Sequence, residues 1–345
     1  MKTLEAEKIL DGLIFDFWHR LLQIRFRSRF SVSTFVDAHK NLSYAARITR
    51  SQTPKEPWGH RFHYMWVAMS AMDVRTWPKP TPITIRGKRA HDEQFIEILV
   101  ENLNDQHLCL LVQAFEFLEK YYKDSFGALG YLDTDLWSYN NRGRMRVPDI
   151  PTNDLSWFQA QVRKTIARHN IDVILKNLRT VFPQFAAKEK NKINLALWFD
   201  VATFFRHVIV HSQAQIPEAD LVRKLKDKTG HAFTPRSRKF ADLYSSILSY
   251  FENHDGTCHL TLVESDRIKP PYHGIGDKFE QLISKLASHA CLSYAIALTH
   301  FGKRPFWERE PTHSHEFEYE EVISSSPRIG RRSENNHPIK EGKRG

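Results

Sequence analysis

Trp198-Phe199-Asp200-Val201-Ala202-Thr203-Phe204-Phe205-Arg206-His207-Val208-Ile209-Val210-His211-Ser212 is the stretch on which the fold and its chemistry turn. It reads as part of an apolar helix, over about 189–214, that places an arginine and two histidines near its end. An unpaired charge buried in a core costs several kcal/mol by order of magnitude, so such groups need partners or a purpose.

Outward from this helix the pattern stays helical. Pro217 blocks continuation, because the residue before a proline is pushed out of the helical region. Pro217 also suits the first turn of a following helix, with Glu218 and Asp220 at its start, Lys224, Lys226 and Lys228 toward its end, and Gly230 as its stop. Upstream, a helix is predicted over about 154–181, interrupted by Pro183. Before that, a long helix begins near His91-Asp92 and ends before Phe126-Gly127, followed by a loop over 127–153. Downstream, helices are predicted over 238–252 and 276–300, with Cys258–Val263 as a strand in a small hairpin. At the N-terminus a helix is predicted over 4–30 through Ile9, Leu13, Phe17, Leu21 and Ile24. The proline-bearing stretches 52–60 and 76–85 read as loops around a short aromatic segment, 62–67. Beyond about 303 the composition turns to Glu, Ser, His, Arg and Pro, which predicts a disordered tail.

The totals fit a globular chain. Of 345 residues, 41% are hydrophobic and 12% aromatic, enough to build a core. Fifty Lys and Arg against forty Asp and Glu give a formal charge of +10, which favours polyanionic partners without specifying chemistry. Cys109, Cys258 and Cys291 are isolated in sequence and form no CxxC pair, so neither a zinc ribbon nor a disulfide framework is supported. The start predicts no signal peptide, and no run approaches the roughly 18 apolar residues that span a bilayer. The expectation is a reduced, cytoplasmic protein without a membrane segment.

Arginine with histidine five places later is a cheap pattern. It occurs at Arg86/His91, Arg206/His211 and Arg332/His337, and a spacing of six adds Arg163/His169, Arg267/His273, Arg309/His315 and Arg331/His337. Context selects Arg206 and His211, which alone stand in a densely apolar helix. This Arg-polar-x3-His pattern, with His207 at the polar position, resembles the HEPN family. With the order of helices, the resemblance covers roughly 89–302. It implies a mainly α, HEPN-like helical bundle, preceded by an N-terminal helical extension over 1–88 and followed by a tail over 303–345. It implies Arg206, His207 and His211 as catalytic residues of a metal-independent endoribonuclease. Toxin, stress-response or phage-defence settings, and an antitoxin or regulatory protein partner, come from the same resemblance.

The residues support that chemistry on their own terms. RNA is cut without metal when its 2′-hydroxyl attacks the adjacent phosphate. A histidine moves the proton near neutral pH, and a guanidinium stabilises the phosphoryl charge. Residues 206 and 211 lie about 140° apart around a helix and about 7.5 Å apart along it. One helix therefore does not easily aim both at one phosphate, and a homodimer with a composite cleft is expected. No cofactor is expected. His207 and His211 have the i, i+4 spacing of metal ligands, but Val208 stands where the zinc signature needs Glu, so no metal is assigned.

Several readings stay open. Arg206 and His211 are either functional or structural, with His211 capping carbonyls at the helix end. A non-catalytic helical module binding RNA, a nucleotide or a protein is the alternative function. Asp200 either orients His207 from behind or is a solvated carboxylate. Arg223, Lys224, Lys226, Lys228, Arg236, Arg238 and Lys239 are either an RNA track or a solvated face. Arg25-Phe26-Arg27-Ser28-Arg29-Phe30 either grips nucleic acid or packs its phenylalanines and solvates its arginines, the second being preferred.

Overall fold

The first helix, α1 (Lys2–Gln52), runs well past the end expected at 30. Ala6, Leu10, Ile14, Phe17, Leu21, Ile24, Ser28 and Phe35 recur at helical spacing and are all buried. The computed structural model describes residues 2–52, 68–73, 81–86 and 92–309, apart from 139, 142–143, 145, 147–148, 151–152, 167–170, 191–193 and 231–237. Only the backbone is described for 2–3, 42–52, 68–73, 81–86, 92–95, 165–166, 238–241 and 265. The aromatic segment 62–67 and the tail from 310 lie outside the described residues, as do 53–60 of the first expected loop.

The chain is mainly α-helical, with small β elements. Helix α2 (Asp92–Leu132) lies antiparallel to α1: Tyr131 donates to Glu5 at 2.6 Å, Lys120 lies 3.6 Å from Asp16, and Ser28 bonds His107 at 2.9 Å. Helix α9 (Asp277–His300) closes the other flank of α1, where Arg25 donates to Glu280 at 2.6 Å and Tyr294 bonds Asp11. Residues 1–305 form one compact unit, so α1 is built into the bundle and shares its core. The described residues after it contain a short 3-10 turn, Phe306–Glu308.

The first residues of the loop expected over 127–153, up to Leu132, are instead the last part of α2. Its glycines serve contact, not termination. A Cβ on Gly130 would run into the Trp137 indole, 2.5 Å from Nε1 and 2.6 Å from Cδ2, and one on Gly127 would sit 3.0 Å from Gln159. Trp137 is thereby buried against α2, donating from Nε1 to the Phe126 carbonyl at 3.0 Å and stacking on Phe126.

The helix expected over 154–181 is broken. Helix α3 (Leu155–Gln161) starts at Asp154, whose carboxylate accepts from the Ser156 and Trp157 amides, and passes into a π-helical turn, Val162–Ile166. Helix α4 (Ile171–Val181) and α5 (Pro183–Lys188) follow, with Pro183 opening α5, where its missing N–H costs nothing. The motif helix α6 (Leu195–Ser212) starts later than expected. Asn194, in the left-handed region, accepts from the Leu197 amide, and Glu189 stays outside the helix.

After α6 the backbone takes two consecutive positive φ values at non-glycine residues, Gln213 (51°) and Ala214 (61°), an unusual pair for L-residues. They turn the chain into β3 (Gln215–Pro217), a strand the sequence did not announce. Helix α7 (Glu218–Thr229) ends on Gly230 at φ 65°, as expected, and α8 (Arg238–Leu248) follows. The hairpin forms from β4 (Phe251–His254), whose first residues were expected in the helix over 238–252, and β5 (Thr257–Leu260), shorter than the strand expected to reach Val263, through Asp255-Gly256, both at positive φ; β3 adds to β5 in the antiparallel order β3-β5-β4. Asn104 of α2 clamps the far end of β5, donating to the Leu260 carbonyl and accepting from the Leu262 amide.

The loop expected over 76–85 is from Thr81 a strand, β2 (Thr81–Arg86), paired antiparallel with β1 (Ala68–Asp73). Pro82 is tolerated because a two-stranded ribbon leaves each strand one edge without a ladder. Among the described residues α9 is the one helix long and apolar enough to cross a membrane by length and composition; half of that stretch is buried in the bundle.

Candidate functional site

Helix α6 packs through Leu197, Trp198, Phe199, Val201, Ala202, Phe204, Phe205 and Val208, which are all buried. What remains turned outward is the face that ends in the Arg-His-x3-His pattern. His207 and His211 are exposed, and their ring centroids lie 4.6 Å apart, as side chains one helical turn apart should. Val210 is 53% exposed and falls on the wheel between Arg206 and the histidines, about 40° from Arg206. Arg206 is only partly exposed. Its guanidinium carbon lies 5.5 Å from the Phe115 ring centroid, and its Nε is buried with no hydrogen-bond partner among the described residues. The two histidines are thus open to solvent, while the arginine leans back on the aromatic face of α2. His211 forms no hydrogen bond to the helix-end carbonyls among the described residues.

Cations surround His207. Burial first, then His211, Lys224, Lys228 and Arg206, hold its imidazole below the ordinary histidine range. A ring so placed is neutral near pH 7 and able to accept a proton.

Asp200 is not the freely solvated carboxylate of one expectation. It is partly buried two turns before His207, and desolvation raises its pKa to about 6, against the pull of Arg179 and Lys228 and with help from Asp172 and Glu189. Those four are its electrostatic neighbours; Lys228 acts on both Asp200 and His207.

The expected RNA-binding residues divide. On α7, Leu221, Leu225 and Thr229 face inward. Arg223 is exposed and bonds Asp220 at 2.7 Å, Lys224 lies 4.0 Å from Asp220, and Lys228 donates to Asp172 at 3.2 Å. Lys226 is exposed. Arg236 lies outside the described residues, and of Arg238 and Lys239 only the helical backbone of α8 is described. The structure therefore brings Lys224 and Lys228 to the motif helix and leaves Arg223 and Lys226 on the outer surface.

One polar network beneath the motif had no sequence signature. Glu189, His289 and Tyr122 are each fully buried. Arg179 grips Glu189 with two bonds, Nε to Oε1 at 2.6 Å and an Nη to Oε2 at 3.2 Å. His289 Nε2 lies 3.3 Å from Glu189 Oε2, and the Tyr122 hydroxyl lies 2.5 Å from His289 Nδ1. The ionised Glu189 carboxylate can only accept, so His289 Nε2 carries the proton it donates, while the Tyr122 hydroxyl stands against both Nδ1 and the His289 carbonyl, the latter at 3.1 Å. Burial alone would raise Glu189, but the bonds from His289 and Arg179 outweigh it and hold it below the usual carboxylate range; burial lowers His289. The Phe199 ring of α6 stacks on His289 at 4.9 Å, so the network fixes the motif helix from behind. These residues come from separate elements, and only a bonded pair of side chains could have marked them.

Among the described residues no group of three or more His, Cys, Asp or Glu is arranged to hold a metal ion. The fold and this helix end define a mainly α-helical bundle that presents an arginine and two histidines at one surface. Comparison of the chain with protein-family models, with curated proteins and with solved structures finds no match.

Proposed function

We propose that the protein is a metal-independent endoribonuclease of HEPN type, cutting RNA by attack of the 2′-hydroxyl on the adjacent phosphate. The observation that carries this reading is the exposed His207/His211 pair, with Lys224 and Lys228 acting on His207. In this reading a neutral histidine takes the 2′-hydroxyl proton, the second gives a proton to the leaving 5′-oxygen, and the guanidinium answers charge on the phosphoryl oxygens. Lys224 and Lys228 attract the flanking phosphates.

Arg206 rests on Phe115 rather than beside the histidines of its own helix, so the reading uses a second copy. Two motif helices meeting across a two-fold axis at the exposed Val210 would set the arginine of one near the histidines of the other. The setting proposed is a reduced cytoplasm, with an antitoxin or other regulatory protein as a further partner.

The same Arg206 favours the second reading in one respect. An Nε buried against an aromatic ring also suits a structural residue, which would leave a non-catalytic helical module binding RNA, a nucleotide or a protein. The deciding experiment is RNA cleavage by the native chain and by His211→Ala. Cleavage lost in a folded variant supports the nuclease, and no cleavage by the native chain on any RNA supplied refutes it.

A further inference from the structure

The arginine-phenylalanine segment of α1 packs in the reverse of the preferred expectation. Phe26 and Phe30 are 73% and 64% exposed, while Arg25 donates to Glu280. Nothing in the structure shows what covers those rings. The outer face of the β3-β5-β4 sheet carries a side-chain group with more definite chemistry.

Strand residues two apart share a face. In the register of the hairpin Glu252 stands opposite His259 and His254 opposite Thr257, and β3 sets Gln215 on the other side of His259. Cys258 and Leu260 turn inward and are buried, so Glu252, His254, Thr257 and His259 share the outer face. The His254 and His259 rings meet edge to face with their centroids 5.2 Å apart. A Glu252 carboxylate oxygen lies 3.9 Å from His254 Nε2, and the His254 side chain is 64% exposed. Among the described residues neither ring makes a hydrogen bond, whereas His39, His107 and His289 each do.

Two imidazoles with a carboxylate beside them suit a zinc-like ion better than Mg²⁺ or Ca²⁺, which prefer oxygen ligands throughout. An imidazole nitrogen about 2.1 Å from such an ion puts its ring centroid roughly 3.2 Å away, so two rings at the tetrahedral angle stand about 5 Å apart. His254 and His259 already stand so. We propose that this sheet face binds a divalent transition-metal ion of the zinc class through His254 and His259, with Glu252 behind His254. The carboxylate faces Nε2 and orients the ring, as outer carboxylates do for metal-bound histidines, which leaves Nδ1 for the ion. Glu252 stands outside the ligand set, and water completes the shell. Charge separates this pair from His207/His211. Lys224, Lys228 and Arg206 act on His207 and oppose a dication there, whereas Glu252 attracts one. An ion joining β4 to β5 would stiffen the sheet into which the motif helix runs, since the Leu260 amide donates to the Ala214 carbonyl at 2.8 Å. The site goes beyond the nuclease reading and does not depend on it.

The full chain, His254→Ala, His259→Ala, Glu252→Gln and His211→Ala would be titrated with Zn²⁺ alone and with Mg²⁺ alone by isothermal calorimetry, with circular dichroism to confirm folding. The native chain should bind Zn²⁺ saturably and more tightly than Mg²⁺. His254→Ala and His259→Ala should each bind it at least about tenfold more weakly, and Glu252→Gln about tenfold more weakly, as loss of an outer carboxylate does. His211→Ala should match the native chain. The proposal is overturned by the absence of saturable Zn²⁺ binding, by equal affinity for Mg²⁺, or by unaltered affinity in any of the three sheet variants. Loss of binding in His211→Ala also overturns it, by placing the ion on the motif helix. The readout is metal uptake, so failure of the nuclease reading leaves this result standing.

Discussion

Replacing Gly130 by alanine should destabilise the protein, although alanine is the better helix former. Gly130 lies inside α2, where exchanging glycine for alanine in an open position gains about 1 kcal/mol. Here the added methyl would occupy the space of the Trp137 indole. Trp137 is 1% exposed and held by its Nε1 bond to Phe126, its stack on that ring at 5.6 Å, and an edge contact with Phe158 at 5.3 Å. Overpacking costs roughly 1–3 kcal/mol, and orphaning a buried N–H and carbonyl a further 1–3 kcal/mol or so. Set against the propensity gain, the net loss is about 1–5 kcal/mol. Gly12 supplies the internal control: it lies in α1, and a Cβ there meets nothing within 4 Å, so Gly12→Ala should gain up to about 1 kcal/mol. Urea unfolding followed by far-ultraviolet circular dichroism reads both. A Gly130→Ala variant as stable as Gly12→Ala would refute the claim that close contact, rather than helix termination, accounts for this glycine.

Three other outcomes are expected. Glu189→Ala should cost about 3–5 kcal/mol, because it strands a bidentate Arg179 and the buried His289 N–H, and Tyr122→Phe about 1–2 kcal/mol; thermal melts of both variants check the order. Asp200, raised to about 6 in the folded state, binds its proton more tightly folded than unfolded, so its unfavourable contribution is absent below about pH 4 and grows until about pH 6. Asp200→Asn should therefore match the native chain at low pH and exceed its stability at pH 7, and equal denaturation midpoints at both pH values would contradict this. Under the nuclease reading, cleavage should persist in EDTA and leave 2′,3′-cyclic phosphate ends, and Arg206→Ala should reduce it on the order of 10²–10³-fold while melting normally; strict metal dependence with 5′-phosphate products would end that reading.

The sequence by itself determined the helical class and most element positions, because those follow from local periodicity and punctuation. The Glu218/Lys228 charge order and Gly230 marked α7, and the run from Cys258 marked the strand of the hairpin that forms as β5. It also singled out Arg206, His207 and His211, since polar groups on an apolar helix stand out without coordinates. Tertiary structure decided what depends on distant neighbours. Gly127 and Gly130 read as a helix end until Trp137 and Gln159 are seen lying against them. Phe26 and Phe30 read as core because hydrophobicity does not say which of two apolar faces finds a partner. Glu189 and His289, a hundred residues apart, read as ordinary polar residues, and only the packing of α6 and α9 closes them into one buried network. The same packing turned Arg206 toward Phe115 and left the histidines in solvent, a division that spacing along one helix could not specify.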